Sequence, residues 1–170
     1  QALSDAGYFQ TPVAGFHNLR ALAPANDTST SLDYRVRSYL AANCVQCHQP
    51  GGSAIGFWDA RITTPLSAAG LINGVLSDYK NDPGNRVVKP GAATQSMLLT
   101  RIASSGPGRM PPIATREFDQ PAVALLTEWI TQGLTNYESF ADWQVRFFSS
   151  TNAPAALADA VPDAEGAPNY

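Results

Sequence analysis

The stretch SYLAANCVQCHQPGG, residues 38–52, carries both cysteines of the 170-residue chain and one of its two histidines. Before it, Leu32, Val36, Tyr39 and Leu40 recur at helical spacing, with Asp33, Arg35 and Arg37 between them, and Ser or Thr at 28–31 can cap the start. A helix is therefore expected to run from about Ser31 into the cysteine pair. After it, Pro50, Gly51 and Gly52 end any helix and force a turn.

The rest of the chain is read outward from there. Residues 1–27 mix small residues, prolines and isolated aromatics without a period, and read as an irregular arm wrapping on the domain. Residues 53–91 give an extended piece at GFWDARITTPL, a short helix at SAAGLINGVL, and a turn with an extended piece at NDPGNRVVKPG. TQSMLLTRIA, residues 94–103, is a short amphipathic helix with Met97, Leu98, Arg101 and Ile102 on neighbouring faces. SSGPGRMPPIAT then forms a loop rich in glycine and proline. DQPAVALLTEWITQG is a second long helix with Asp119 as N-cap, Pro121 in its first turn, Gly133 as its stop, and Val123, Leu126, Trp129 and Ile130 as its buried stripe. YESFADWQVRFF is one further amphipathic segment, and an Ala/Pro-rich tail follows. The expected organisation is an arm over 1–27, a mainly α domain over 28–134, and an extension over 135–170.

Composition narrows the function classes. At 44% hydrophobic and 15% charged the chain can build a globular core, and a net charge of −3 without a basic block gives no footprint for nucleic acid. No run approaches the roughly 20 apolar residues of a bilayer-spanning helix, and QALSDAGYFQ lacks the regions of a signal peptide. The expectation is a soluble mature chain or an excised segment.

Cys44, Cys47 and His48 match the Cys-Xaa-Xaa-Cys-His signature of c-type haem attachment. Two thiols one helical turn apart can add to the two vinyl groups on one porphyrin edge, and the adjacent histidine then rises under the iron as proximal ligand. Three other readings stay open at this point. A structural zinc needs four ligands, for which the chain has Cys44, Cys47, His48 and the distant His17. A redox dithiol expects a βαβ context, and a plain disulfide needs no context at all. For a second axial ligand the candidates are Met110, in the proline-stiffened GRMPPI, then Met97, which core packing explains as well, and His17.

With these residues in place, the chain resembles mono-haem cytochromes c of the class I type. YLAANCVQCHQPGG, RVVKPGAATQSMLLTRI, GRMPPIAT and VALLTEWI more narrowly resemble cytochrome c domains of large secreted bacterial proteins that accompany sugar-dehydrogenase-like domains, over about residues 30–133. The resemblance implies few helices around one covalent haem c, Cys44 and Cys47 as thioether attachments, and His48 and Met110 as axial ligands. It implies an electron carrier rather than an enzyme, periplasmic or extracellular, taking electrons from a redox protein or a fused dehydrogenase domain. An open-site haem for gas sensing or peroxide chemistry, and a haem module of an extended extracellular conductor, are the alternatives. For the haem carboxylates the positions to search are Trp58, Arg61, Arg86, Lys89 and Arg109, and Pro50 is the expected acceptor for the His48 ring N–H. DAVPDAEGAPNY resembles a worn aspartate-rich calcium loop retaining Asp159, Asp163 and Glu165, and a solvated tail without calcium is expected there.

Overall fold

The computed structural model describes residues 2–11, 15, 20–112 and 117–157. His17 and the tail acids Asp159, Asp163 and Glu165 lie outside the described residues. Among the described residues five α-helices follow in order: α1 (Ala2–Asp5), α2 (Leu32–Asn43), α3 (Met97–Ile102), α4 (Gln120–Glu128) and α5 (Phe140–Phe148). Two 3₁₀ turns, Ala93–Gln95 and Pro154–Ala156, precede α3 and follow α5, and α4 continues into a π turn, Trp129–Gly133. Among the described residues there is no strand, only the isolated bridges Ile72 to Val88 and Arg86 to Ser96. The chain is mainly α.

Local chemistry explains where the helices begin. The Ser31 hydroxyl accepts the Tyr34 N–H at 3.2 Å, and the Asp119 carboxylate accepts the Ala122 N–H at 3.0 Å. Each satisfies one of the donors that a helix N-terminus leaves unpaired. Pro121 is tolerated because its missing N–H falls among those same unpaired positions. In the π turn Leu134 N–H reaches back to the Trp129 carbonyl, and the Ile130 carbonyl accepts from Gly91 N–H at 2.8 Å. Gly133 stands where a Cβ would lie only 3.1 Å from the Trp129 ring and 3.2 Å from Leu32, so the helix end can approach the start of α2.

α2 packs on α4 and its π turn, and α3 packs on α4. Val36, Leu40, Leu71, Val88, Leu126, Trp129 and Ile130 are fully buried at the centre, and each such aliphatic side chain contributes about 1.5–3 kcal/mol by leaving water. The buried stripe of α4 is Ala122, Leu125 and Leu126, with Val123 only partly buried against the core. Position 125 replaces 123 because α4 is covered from two sides, by α2 and by α3, and the apolar face turns accordingly.

The stretch between the helices departs from expectation. Residues 67–76 form no helix; they are turns, with Ala69 accepting through its carbonyl from Asp59 N–H at 2.8 Å and Leu71 from Val88 N–H at 3.1 Å. GFWDARITTPL, expected to be extended, has no regular structure. Backbone groups here pair singly with other loops, so neither a helical nor an alternating pattern is imprinted on the side chains. TQSMLLTRIA splits in two, because Ser96 adopts an extended conformation between the 3₁₀ turn and α3.

A polar hub anchors this loop region to α2. The Arg37 guanidinium, 4% exposed, donates through Nη2 to the carbonyls of Arg61 and Thr64, both at 2.6 Å. The buried Asp59 carboxylate accepts from Arg61 Nε and Nη2, the Arg61 backbone N–H and Thr64 Oγ1. Residues 20–25 strap the outer face of α2: Tyr34 donates its hydroxyl to Ala21, Ala23 N–H to the Ser38 hydroxyl, and Arg35 Nη1 to Ala25. α5 packs on the 154–156 turn, with Gln144 buried between them and donating to the carbonyls of Thr151 and Ala156.

The hub makes a pH-dependent contribution. Hydrogen bonds from the Arg61 guanidinium, then from its backbone N–H and from Thr64, hold the Asp59 carboxyl well below the usual carboxylate range. A lowered folded-state value means that this stabilisation is complete above about pH 4, where the unfolded carboxyl is ionised, and is lost as pH falls below it. Asp59→Asn is expected to cost about 2 kcal/mol in urea unfolding at pH 7, and less at pH 2.5. An unchanged difference between wild type and variant at the two pH values would count against the assignment.

Candidate functional site

The C-terminus of α2 builds one wall of the site. Cys44 N–H closes the last helical bond to the Leu40 carbonyl at 2.9 Å, and His48 N–H then bonds to the Cys44 carbonyl at 2.8 Å, carrying the chain through one further turn. Side chains three and four positions apart share a face, so Cys44, Cys47 and His48 project to the same side. Gly52 is required next: a Cβ there would overlap the Cys47 carbonyl. The chain folds back, and Ala54 N–H reaches that same carbonyl at 3.2 Å.

The three side chains line a cavity of about 320 Å³, a volume at the lower end of cofactor sites. Leu76, Val87, Leu98 and Ile102 give it an apolar wall continuous with the core, and Met97, Met110 and Arg101 complete it from α3 and the loop beyond. Ile55 and Val75, both on the wall, are 84% and 57% exposed. Large apolar surface at the mouth of a concavity favours an apolar ligand.

His48 is the most constrained of the three. Its carbonyl accepts Ala60 N–H at 2.8 Å, and its ring stacks on Trp58 with centroids 4.1 Å apart and planes 22° from parallel. Gly56 lies under both rings, where a Cβ would stand 3.3 Å from each. The buried Nδ1 has no hydrogen-bond partner, so the Pro50 carbonyl does not fill the acceptor role expected for it. Burial, and then the nearby Arg101 cation, lower the affinity of this imidazole for a proton. The ring is held neutral, the form that ligates metals.

The cysteines are both free, Cys47 exposed and Cys44 half-buried. Burial, with a further contribution from Cys47, pushes the Cys44 thiol up to about 12. A redox dithiol requires the opposite shift, toward an accessible thiolate. Among the described residues no three His, Cys, Asp or Glu side chains converge as a metal site. One imidazole, His48, and the thioethers of Met97 and Met110 stand in this cavity.

Trp58 lines the cavity, as expected from its sequence position. Arg61 does not; it is paired with Asp59 at 2.7 Å. Arg109 also lies off the cavity, donating to the Glu117 carbonyl at 2.8 Å with its guanidinium 5.9 Å from the Phe118 ring centroid. Arg86 donates to the carbonyls of Pro83 and Asn85, and Lys89 to the Gln95 side chain. The cavity cation is Arg101, four positions after Met97 on α3 and therefore on the same helical face, which is the signal that could have singled it out.

Comparison of the chain with family models, curated proteins and solved structures finds no match. Among the described residues no helix is long and apolar enough to cross a membrane.

The two thiols should differ in chemistry. In the protein before any covalent loading, iodoacetamide at pH 8 is expected to label exposed Cys47 at least about tenfold faster than Cys44, whose thiolate is suppressed. Peptide mapping by mass spectrometry reads the two rates, and equal labelling would mean that Cys44 is not buried as described.

Proposed function

We propose that this chain is an electron-transfer module with a cytochrome c fold, holding one covalent haem c in the cavity at the end of α2. One observation carries the reading: Cys44, Cys47 and His48 share a wall of an apolar cavity that is also lined by Met110, brought there from about 60 residues further along the chain. Cys44 and Cys47 would hold the group by thioether bonds, with His48 and Met110 as axial ligands. The neutral imidazole and the exposed apolar wall residues fit that cofactor.

When bound, the haem supplies a one-electron couple at its iron. The chain's own residues set the conditions for it. His48 offers a lone pair that is not taken by a proton, and stacking on Trp58 limits rotation of the ring. Met110 contributes an uncharged thioether, which with the apolar wall favours the reduced state and a higher potential. With His48 and Met110 both holding the group, the chain would relay electrons rather than transform a bound molecule. A redox protein or fused dehydrogenase domain is the partner on this reading, and the location is periplasmic or extracellular.

Expression with a c-type haem maturation system is expected to give one covalent haem per chain, lost in Cys44→Ala/Cys47→Ala. The ferric protein should show the weak far-red methionine-to-iron band, and the ferrous protein should resist carbon monoxide. Met110→Ala should remove the band, lower the potential and admit carbon monoxide. Ready binding of carbon monoxide by the wild-type protein would instead indicate an open iron and a sensing or peroxide-linked role.

A further inference from the structure

Residues 104–112 have no regular helix or strand, yet they deliver Met110 to the cavity. Two hydrogen bonds from residues 108–110 to α3 end on one residue. Met110 N–H donates to the Arg101 carbonyl at 3.0 Å, and Arg101 Nη1 donates to the Gly108 carbonyl at 3.1 Å. Gly108 has φ of 88°, a left-handed conformation that glycine adopts without strain, in the turn closed by the Arg109 N–H to Gly106 carbonyl bond. Arg101 itself lines the cavity beside Met110, and its bond to the Gly108 carbonyl lies on the exposed side of the loop.

Resting on the haem reading above, we propose that the Arg101 side chain is the positioning residue that keeps the Met110 loop closed on the cavity, so that distal ligation depends on the guanidinium bond to the Gly108 carbonyl. The backbone bond from Met110 survives any substitution at 101, whereas the side-chain bond does not. Arg101 stands at the end of a rigid, buried helix whose Met97, Leu98 and Ile102 pack into the core or cavity wall. The loop is also tied by Arg109 to the Glu117 carbonyl, and the charge-assisted bond from Arg101 adds a side-chain tie to α3 that governs how readily Met110 leaves the cavity.

Imidazole binding to the ferric, haem-loaded full chain reads that opening, because imidazole must displace Met110. Arg101→Gln is expected to bind imidazole about tenfold more tightly than wild type, the effect of losing one hydrogen bond from a charged donor. Arg101→Lys, which keeps the cation, should fall between the two and serves as the comparison if the glutamine variant does not fold. Thermal midpoints of the unloaded proteins provide the control: a merely structural role would lower them and leave imidazole affinity unmoved. Imidazole affinity within twofold of wild type in a folded variant, with the methionine band present, overturns the clamp alone. A wild-type spectrum without that band overturns the Met110 assignment, and the clamp with it.

Discussion

An imidazole lying flat on an indole, 4.1 Å away, joins two parts of the chain that have no other reason to meet at this angle. His48 comes from the end of a helix whose apolar face is buried against α4, and Trp58 from a loop without periodic structure. The loop must be held for the stack to exist, and its anchors are polar. Arg37 on α2 takes the carbonyls of Arg61 and Thr64, Asp59 takes the donors of the same two residues, and Ala60 N–H takes the His48 carbonyl. Burying a guanidinium and a carboxylate costs free energy, and burial accordingly weakens the hold of Arg37 on its proton. The cost is offset by hydrogen bonds that fix one conformation of the loop, where apolar packing of the same loop would tolerate several.

The cavity follows from that constraint. Trp58, Val87, Leu98 and Ile102 belong both to the core and to the cavity wall, so the core is packed on one side of them and ends on the other. The chain thus has a centre of its own, in Val36, Leu40, Leu126 and Trp129. A ligand in the cavity would extend the core outward. It would not replace it.

What the sequence made legible divides by the kind of interaction. α2 and α4, with caps at Ser31 and Asp119, and the amphipathic segment that forms α5 could be read because a helix imprints a period of 3.6 on its side chains and its ends demand particular residues; the Ser139 cap of α5 was not read. The grouping of Cys44, Cys47 and His48 could be read because it is local. Residues 53–91 resisted because their hydrogen bonds run between loops, and a carbonyl at Arg61 or Thr64 accepts a bond whatever side chain it carries. Arg61 and Arg109 were drawn toward the cavity by proximity in sequence to Trp58 and Met110. In each case the backbone turns, and the guanidinium finds a nearer acceptor at Asp59 or Glu117.

The two sides of the cavity are not held equally. His48 is bound into the structure by its carbonyl, by its own N–H and by its ring, each contact made with a segment that is itself buried or pinned. Met110 follows a turn, precedes two prolines that donate no N–H, and lies on a loop whose ties to α3 run through Arg101. If both side chains meet one iron, the proximal bond is supported by the whole fold and the distal bond by a few local hydrogen bonds. The free energy needed to open the distal position is then the smaller of the two, and sequence change in residues 104–112 or at Arg101 can shift the balance between a closed carrier and an open, reactive iron without disturbing α2, α4 or the core between them.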